Sequence, residues 1–198
     1  VQRVFVHEDV YDEFRDKLVT AVNGIKLGDP LDRTTDLGPM IDRKSLLRTK
    51  NWVEDAEKDG AKILTGGEVT EGFFKPTVIE NPNPESFVCS KEAFAPLVTI
   101  FPVKSFGEAV RKVNDSQYGL QAGVFTNNLE KALVAFENIE AGGVVINDVP
   151  TYRIDHMPYG GVKASGLGRE GIKYAIEDMT EPRLMVFNRL ESQKVSLD

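Results

Sequence analysis

The chain has 198 residues, of which 41% are hydrophobic and 28% are charged, an ordinary globular composition with enough length for one full core. Because 31 acidic residues outnumber 24 basic ones, the formal charge of -7 argues against a general nucleic-acid or membrane-surface binder and favours a small-molecule or protein partner. The single cysteine, Cys89, excludes an internal disulfide, and without an apolar run near the ~20 residues that span a bilayer we expect a soluble, cytoplasmic protein.

The first part of the chain predicts a strand and two helices. The stretch "RVFVH" (3–7) has the alternation of a strand, and residues 8–25 carry apolar side chains at helical spacing. A loop rich in Pro, Gly and Asp spans 26–42. Asp42 is placed to cap a second helix over 43–59. A strand that leads into a helix is the first unit of an α/β fold.

The middle of the chain alternates strands with helices. Strands are predicted at 61–67, 72–80, 97–103, 120–126 and 142–148. Helices are predicted after Ser105 and after Asn127, since both residue types cap helix N-termini. This order predicts an α/β fold with a largely parallel sheet flanked by helices. Ligand chemistry is then expected beyond the carboxyl ends of the strands.

The C-terminal part holds a long loop over 148–168, a short helix near 169–178 and the β-prone run "RLMVF" at 183–187. Exposed strand edges tend to be paired. The run therefore either completes a sheet edge in a neighbouring subunit or forms an edge strand of the same domain.

Residues 166–171, "GLGREG", spell the G-x-G-x-x-G pattern of dinucleotide-binding folds. That pattern binds pyrophosphate when a strand ends directly before its first glycine and a helix begins at its last. The preceding "GGVKAS" does not have the character of a strand, and the predicted strand at 142–148 ends about twenty residues upstream. We therefore interpret these glycines as residues that let a loop turn sharply, and not as a phosphate-binding site.

Five segments, taken in order, resemble motifs of the NAD(P)-dependent aldehyde dehydrogenases. They are "DLGPMID" (36–42), "GFFKPTVI" (72–79), "SKEAFAPLV" (90–98), "GGVVIND" (142–148) and "PYGGVKASGLGREG" (158–171). The resemblance covers essentially the whole chain. It implies a catalytic domain over 1–180, an oligomerisation strand and tail over 181–198, and a homo-oligomer.

The resemblance also implies a reaction, the oxidation of an aldehyde to a carboxylic acid with NAD or NADP through a cysteine thioester. In the family the nucleophile lies in a G-Q-x-C segment shortly before a strand like "QRVFVHE". We therefore expect this chain to begin just after the nucleophile, to lack the cofactor domain, and to be inactive alone. Cys89 lies where the family does not keep its nucleophile and is expected to be a small buried apolar residue. No catalytic residue is then predicted within the chain.

On the cofactor side, the resemblance assigns Glu92 to the hydroxyl groups of the nicotinamide-side ribose and Phe94 to packing beside that ribose. A carboxylate suits two adjacent hydroxyls because both are donors. Ala95 stands where the family most often has Gly, so a positive φ at Ala95 would be strained. Asn147 is expected to hold the active-site loops. Loop glycines are expected at Gly160, Gly161, Gly166 and Gly168.

On the substrate side, Tyr152, Met157 and Tyr159 are expected to form apolar walls of the pocket mouth, as aromatic residues do in the family that the chain resembles. Arg153 and His156 lie in a Y-R-x-D-H-M pattern that is similar to family members acting on lactaldehyde, phosphorylated or other anionic short aldehydes. A guanidinium there can bind a carboxylate or phosphate. Alternatively, Arg153 pairs with Asp155 and only shapes the loop.

Other functions remain compatible with the sequence. A relative that forms acyl-CoA or reduces acyl phosphates keeps similar glycine and Glu motifs. A truncated, non-catalytic nucleotide-binding or interaction module is a further alternative. With two histidines, one of them His7, and no Cys/His spacing, no metal site is predicted.

Overall fold

The computed structural model describes residues 1–188. The elements of its first half are β1 (Arg3–His7), α1 (Glu8–Asn23), α2 (Arg43–Lys58), β2 (Lys62–Thr65), β3 (Val69–Thr70), β4 (Phe73–Phe74) and β5 (Thr77–Glu80). Those of its second half are α3 (Phe87–Ser90), β6 (Leu97–Val103), α4 (Phe106–Asn114), β7 (Tyr118–Gly119), β8 (Gln121–Val124), α5 (Leu129–Asn138), β9 (Gly143–Ile146), β10 (Val162–Lys163) and α6 (Ile172–Met179).

Four strands form the main sheet in the order β1-β6-β5-β2. The first three run parallel, and β2 is antiparallel to β5. The run predicted at 72–80 is split into β4 and β5, because Pro76 between them has no N–H to give to a ladder. The central strands are apolar on both faces, as expected for a parallel sheet covered by helices.

Each face of this sheet buries its own hydrophobic cluster. Ile79 packs with residues of α2, including Val53, in one cluster. Its neighbour Val78 packs with Tyr11 of α1 and with Ile100 in the other. Successive strand residues point to opposite faces, so α1 and α2 cover opposite sides. Full burial of each large apolar side chain contributes about 1.5–3 kcal/mol.

A second, two-stranded sheet is formed by the parallel pair β8 and β9, which α5 connects. Short β10 pairs antiparallel with β7. The predicted α/β class with a mainly parallel sheet flanked by helices is confirmed, with the parallel strands divided between two sheets and β2 reversed. None of the helices within residues 1–188 has the length and apolar character needed to cross a bilayer.

Side-chain caps set most helix starts. Asp42 accepts a hydrogen bond from the Ser45 amide at 2.6 Å, as predicted. The cap of α5 is Asn128, which accepts from the Lys131 amide at 2.9 Å, so the prediction of Asn127 was wrong by one residue. Helix α6 begins later than predicted, since the positive φ of Gly171, 118°, cannot belong to an α-helix.

The β-prone run at 183–187 forms neither strand nor helix. Leu184, Met185, Val186 and Phe187 are each at least 75% exposed. The alternative of an edge strand within the same domain is therefore wrong for these residues. An oligomerisation strand over 181–198 stays a prediction, and its residues 189–198 lie outside the described part of the chain.

Candidate functional site

The predicted cofactor residues lie in the segment 88–94, which leads into β6. Glu92 is exposed, Phe94 is 79% exposed, and Ala93 between them is buried to 1% exposure within the core. This segment precedes the amino end of β6. Glu92 and Phe94 therefore precede a strand along the chain, while the placement of ligand chemistry beyond strand carboxyl ends stays a prediction.

Polar side chains from distant parts of the chain bind the backbone of this segment. The Gln2 amide donates to the carbonyls of Val88 and Lys91 at 2.8 and 2.7 Å. The Arg48 guanidinium of α2 donates to the Ala93 carbonyl at 2.6 Å. Because each bond joins the segment to another element, its backbone is fixed relative to the main sheet.

The backbone at Phe94 has φ 47°, in the left-handed region. The sequence directed attention to Ala95, where the family most often has Gly, but the positive φ falls one residue earlier. A non-glycine residue in this conformation costs roughly 1–2 kcal/mol. Such strain persists where surrounding structure imposes it, and it clusters at functional sites.

Cys89 lies in the same segment and is buried, 9% exposed. Burial raises the pKa of its thiol, and hydrogen bonds to Ser86 and Thr99 oppose that shift. A nucleophilic cysteine needs a stabilised thiolate, so this setting favours an inert side chain.

Asn147 follows β9 at its carboxyl end. Its amide N–H donates to the Val124 carbonyl, and its Oδ1 accepts from the Thr126 amide, both at 2.8 Å. With φ 60°, Asn147 turns the chain out of the sheet, a conformation that Asn tolerates better than most residues. These contacts tie together the ends of β8 and β9, from which the next loop begins.

Arg153 and Tyr159 meet Glu170 in the loop between β9 and α6. Arg153 Nη2 lies 2.7 Å from Glu170 Oε2, and the guanidinium lies 4.4 Å from the centroid of the Tyr159 ring. Backbone hydrogen bonds link Tyr159 and Glu170 in both directions. The alternative prediction that Arg153 pairs with Asp155 was wrong, because the loop folds back and brings Glu170 beside Arg153.

Tyr152 and His156 lie on the same loop, exposed to solvent. The Tyr152 carbonyl accepts a hydrogen bond from Gln121 Nε2 at 3.0 Å, which ties this part of the loop to β8. The loop thus brings Arg153, Tyr159 and Glu170 into contact, while Tyr152 and His156 are presented on its surface.

The predicted loop glycines allow close approaches and turns. A Cβ on Gly142, which sequence reasoning did not single out, would lie 1.6 Å from the Gly160 carbonyl oxygen. Gly168 has φ 71°, which suits the turn before α6. Gly161 is buried against Ser165, and Gly166 has φ 142°.

The G-x-G-x-x-G match at 166–171 lacks the strand geometry of a phosphate site. The segment "GGVKAS" does contain a strand, β10, contrary to expectation, but β10 has two residues and pairs antiparallel with β7. The Glu170 amide is bonded to the Tyr159 carbonyl. These glycines therefore close the loop onto α6.

The sequence did not identify as functional candidates three residues that contact the predicted site segments. These residues are Gln2, Arg48 and Glu170. Glu170 is inside a recognised motif, and its contact with Arg153 becomes visible once the loop folds back. Arg48 stands outside every motif, and Gln2 lies in the stretch "QRVFVHE" without an assigned role, so no local pattern marks either residue as functional.

An α/β domain with a mainly parallel sheet and exposed glycine-rich loops belongs to a class typical of nucleotide-dependent enzymes. The aldehyde dehydrogenase family matches residues 1–185. The chain belongs to this family, which consists of NAD(P)-dependent oxidoreductases, as the sequence motifs predicted.

Three similar proteins illustrate the relationship. The 3-sulfolactaldehyde dehydrogenase of Priestia aryabhattai is 49% identical over 188 residues, which are 95% of this chain and 39% of that protein. Aldehyde dehydrogenase 21 from Physcomitrella patens, crystallised with the reaction product succinate, superposes with a TM-score of 0.94 at 44% identity, covering 98% of this chain and 40% of that one. Glyceraldehyde-3-phosphate dehydrogenase GapN from Methanocaldococcus jannaschii, complexed with NADP, superposes with a TM-score of 0.85 at 41% identity. The match covers 89% of this chain and 38% of that one. The chain thus spans about two fifths of these proteins.

Proposed function

We propose that this chain is part of a longer aldehyde dehydrogenase that oxidises a short anionic aldehyde to a carboxylic acid with NAD or NADP. The observation that carries the substrate class is the Arg153 guanidinium, held against Glu170 and the Tyr159 ring on an exposed loop. The three similar proteins support it: two are named for sulfolactaldehyde and glyceraldehyde 3-phosphate, the third is bound to its product succinate, and all three compounds carry an anionic group.

Arg153 has the chemistry to recognise such a group. Its guanidinium carries five N–H donors in a planar fork that matches a carboxylate, sulfonate or phosphate. Glu170 engages Nη2, and the Arg153 side chain is still 53% exposed. A substrate anion would share the guanidinium with Glu170 or displace it. Tyr152 and His156 on the same loop would complete the mouth of the pocket.

Glu92 and Phe94 fit a contact with the nicotinamide-side ribose. The Glu92 carboxylate can accept hydrogen bonds from two adjacent hydroxyl groups, and the exposed Phe94 ring offers an apolar surface beside it. The bound dinucleotide would supply the hydride acceptor. Hydride transfer tolerates little misplacement, so a fixed carboxylate at this position serves the reaction.

We place the thioester-forming cysteine outside this chain. Burial and a raised pKa argue against Cys89 in that role. The chain alone is therefore expected to be inactive. Because Leu184 to Phe187 are exposed apolar residues at the start of the predicted strand, we also propose that 181–198 pairs with a second copy in a homo-oligomer.

The substrate class is tested by Arg153→Ala in the full-length enzyme, assayed with succinate semialdehyde and with the uncharged butyraldehyde. A charge-assisted hydrogen bond contributes about 1.5–3 kcal/mol, so we expect kcat/KM for the anionic aldehyde to fall by about ten- to a hundredfold. For butyraldehyde we expect a change below about twofold. Arg33→Ala, at an exposed arginine in another loop, is the matched control. Equal losses on both aldehydes would contradict an anion pocket.

The reaction type is tested by adding CoA to the same assay. We expect the free carboxylic acid as the product with and without CoA. Formation of acyl-CoA would instead assign the protein to the acyl-CoA-forming relatives.

A further inference from the structure

We propose that Gln2 and Arg48 are positioning residues for the cofactor: together they clamp both peptide groups of Ala93, so that Glu92 and Phe94 on either side face one ligand in a fixed geometry. This inference rests on the proposed role of Glu92. The family resemblance assigns no role to Gln2 or to Arg48.

Gln2 uses all of its side-chain polar groups on the segment 88–94. Its Oε1 accepts from the Ala93 amide at 3.0 Å, while Nε2 donates to the carbonyls of Val88 and Lys91. Its own carbonyl accepts from the amide and the hydroxyl of Thr99, at 2.8 and 2.9 Å. Gln2 therefore joins β6 to the segment 88–94: its backbone carbonyl binds Thr99 and its side chain binds the segment.

Arg48 holds the other side of Ala93. Its Nη2 donates to the Ala93 carbonyl at 2.6 Å, and its guanidinium lies 5.0 Å from the Trp52 ring centroid. Its Nε is buried and has no hydrogen-bond partner among the described residues. An unpaired buried donor costs free energy, and Arg48 nevertheless keeps Nη2 on the Ala93 carbonyl.

The hydrogen bonds from Gln2 and Arg48 explain how Glu92 and Phe94, which are both exposed, can have a fixed backbone. Ala93 is 1% exposed and belongs to the main hydrophobic cluster, while Phe94 immediately after it has the strained φ of 47°. The Arg48 bond holds the peptide that enters Phe94, and β6 begins three residues later at Leu97, so the backbone at Phe94 is constrained on both sides. Loss of either clamp would let Glu92 and Phe94 move relative to each other.

The test uses the full-length enzyme with Arg48→Met, Gln2→Met and Glu92→Gln, alone and with each clamp variant combined with Glu92→Gln. We expect each clamp variant to lower kcat/KM for the dinucleotide by about tenfold, since small misplacements are costly for hydride transfer. The KM for the aldehyde should change by less than about twofold. Arg48→Lys, which keeps the charge, should recover most of the loss. Lys50→Met on the same helix, where Lys50 pairs with Glu54 at 3.3 Å, is the control.

The double variants separate positioning from general structure. If Arg48 and Gln2 act through Glu92, removing them in the Glu92→Gln enzyme should change kcat/KM for the dinucleotide by less than about twofold. The same loss in both backgrounds would overturn the proposal. Glu92→Gln with unaltered dinucleotide kinetics would contradict the proposed cofactor role of Glu92, whereas an impaired Glu92→Gln beside unimpaired clamp variants would overturn the positioning role alone. If Arg48→Met fails to fold in a thermal unfolding assay, Gln2→Met decides by the same criteria.

Discussion

The segment 88–94 and the loop 148–171 are held in place in different ways. Hydrogen bonds from Gln2 and Arg48, which lie 91 and 45 residues from Ala93, fix the first. The second is held at its base by the pairing of β10 with β7 and in its exposed part by contacts within the loop, such as the bond between Arg153 and Glu170, 17 residues apart. The proposed cofactor contact is thus built into the core, while the proposed substrate contact depends on an exposed loop.

This difference has a functional consequence. A dinucleotide presents the same ribose to every member of the family, so a rigid contact suits it. Aldehydes differ among members, and a loop held by its own surface contacts can change its side chains without disturbing the sheet. We expect mutations in the two regions to differ accordingly, and four further experiments test this.

The largest effect is expected where the substrate loop touches the β8–β9 sheet. In Gly142→Ala, the new Cβ would lie 1.6 Å from the Gly160 carbonyl oxygen, so the loop base must shift. We expect a loss of about 3 kcal/mol in the free energy of unfolding, measured by denaturant unfolding of the full-length protein. Gly143→Ala is the control, since its Cβ would meet its nearest neighbour at 3.4 Å. Equal stability of the two variants would show that the loop base is not rigid.

The second-largest effect is expected in the reactivity of Cys89, whose thiol reports on the rigidity of the clamped segment, residues 88–94. Because burial raises the pKa of this thiol, it should keep its proton at about pH 8, where an unfolded cysteine begins to ionise. We expect alkylation of Cys89 to be about a hundredfold slower than in the denatured chain, measured by peptide mass spectrometry. Gln2→Met should accelerate it. Rapid alkylation of the wild-type protein would contradict a rigid segment.

Limited proteolysis compares the two regions directly. Trypsin can cleave after Lys91 in the clamped segment and after Arg153 in the substrate loop, and both residues are exposed. We expect cleavage after Arg153 to be about tenfold faster, since cleavage requires local opening. Rates in the denatured chain correct for sequence preference. Faster cleavage after Lys91 would reverse the comparison.

The smallest effect is expected from the surface ion pair. In Glu170→Gln, the lost partner of Arg153 is 65% exposed, so stability should change by no more than about 0.5 kcal/mol. Glu177→Gln, which removes the exposed partner of Lys173, is the matched control. A loss several times larger, in denaturant unfolding, would mean that the pair stabilises the loop base.

Local patterns were sufficient to predict most elements. Strand β1 and helix α1 follow from spacing within a few residues, and the start of α2 follows from the Asp42 cap. The errors occur where contacts between distant residues, or a single backbone dihedral angle, determine the local structure. Helix α6 starts after the predicted position because of the backbone at Gly171, and the strand expected at 183–187 has no partner strand within residues 1–188.

By itself, the sequence determined the family, the order of the longer elements and the candidate residues Glu92, Phe94 and Arg153, because motifs and periodicities are local properties of a chain. The tertiary structure alone decided that Arg153 meets Glu170 and that Ala93 is held from both sides. Those contacts join residues that are far apart along the chain, and a hydrogen bond between such residues has no local sequence signal until the core brings them together.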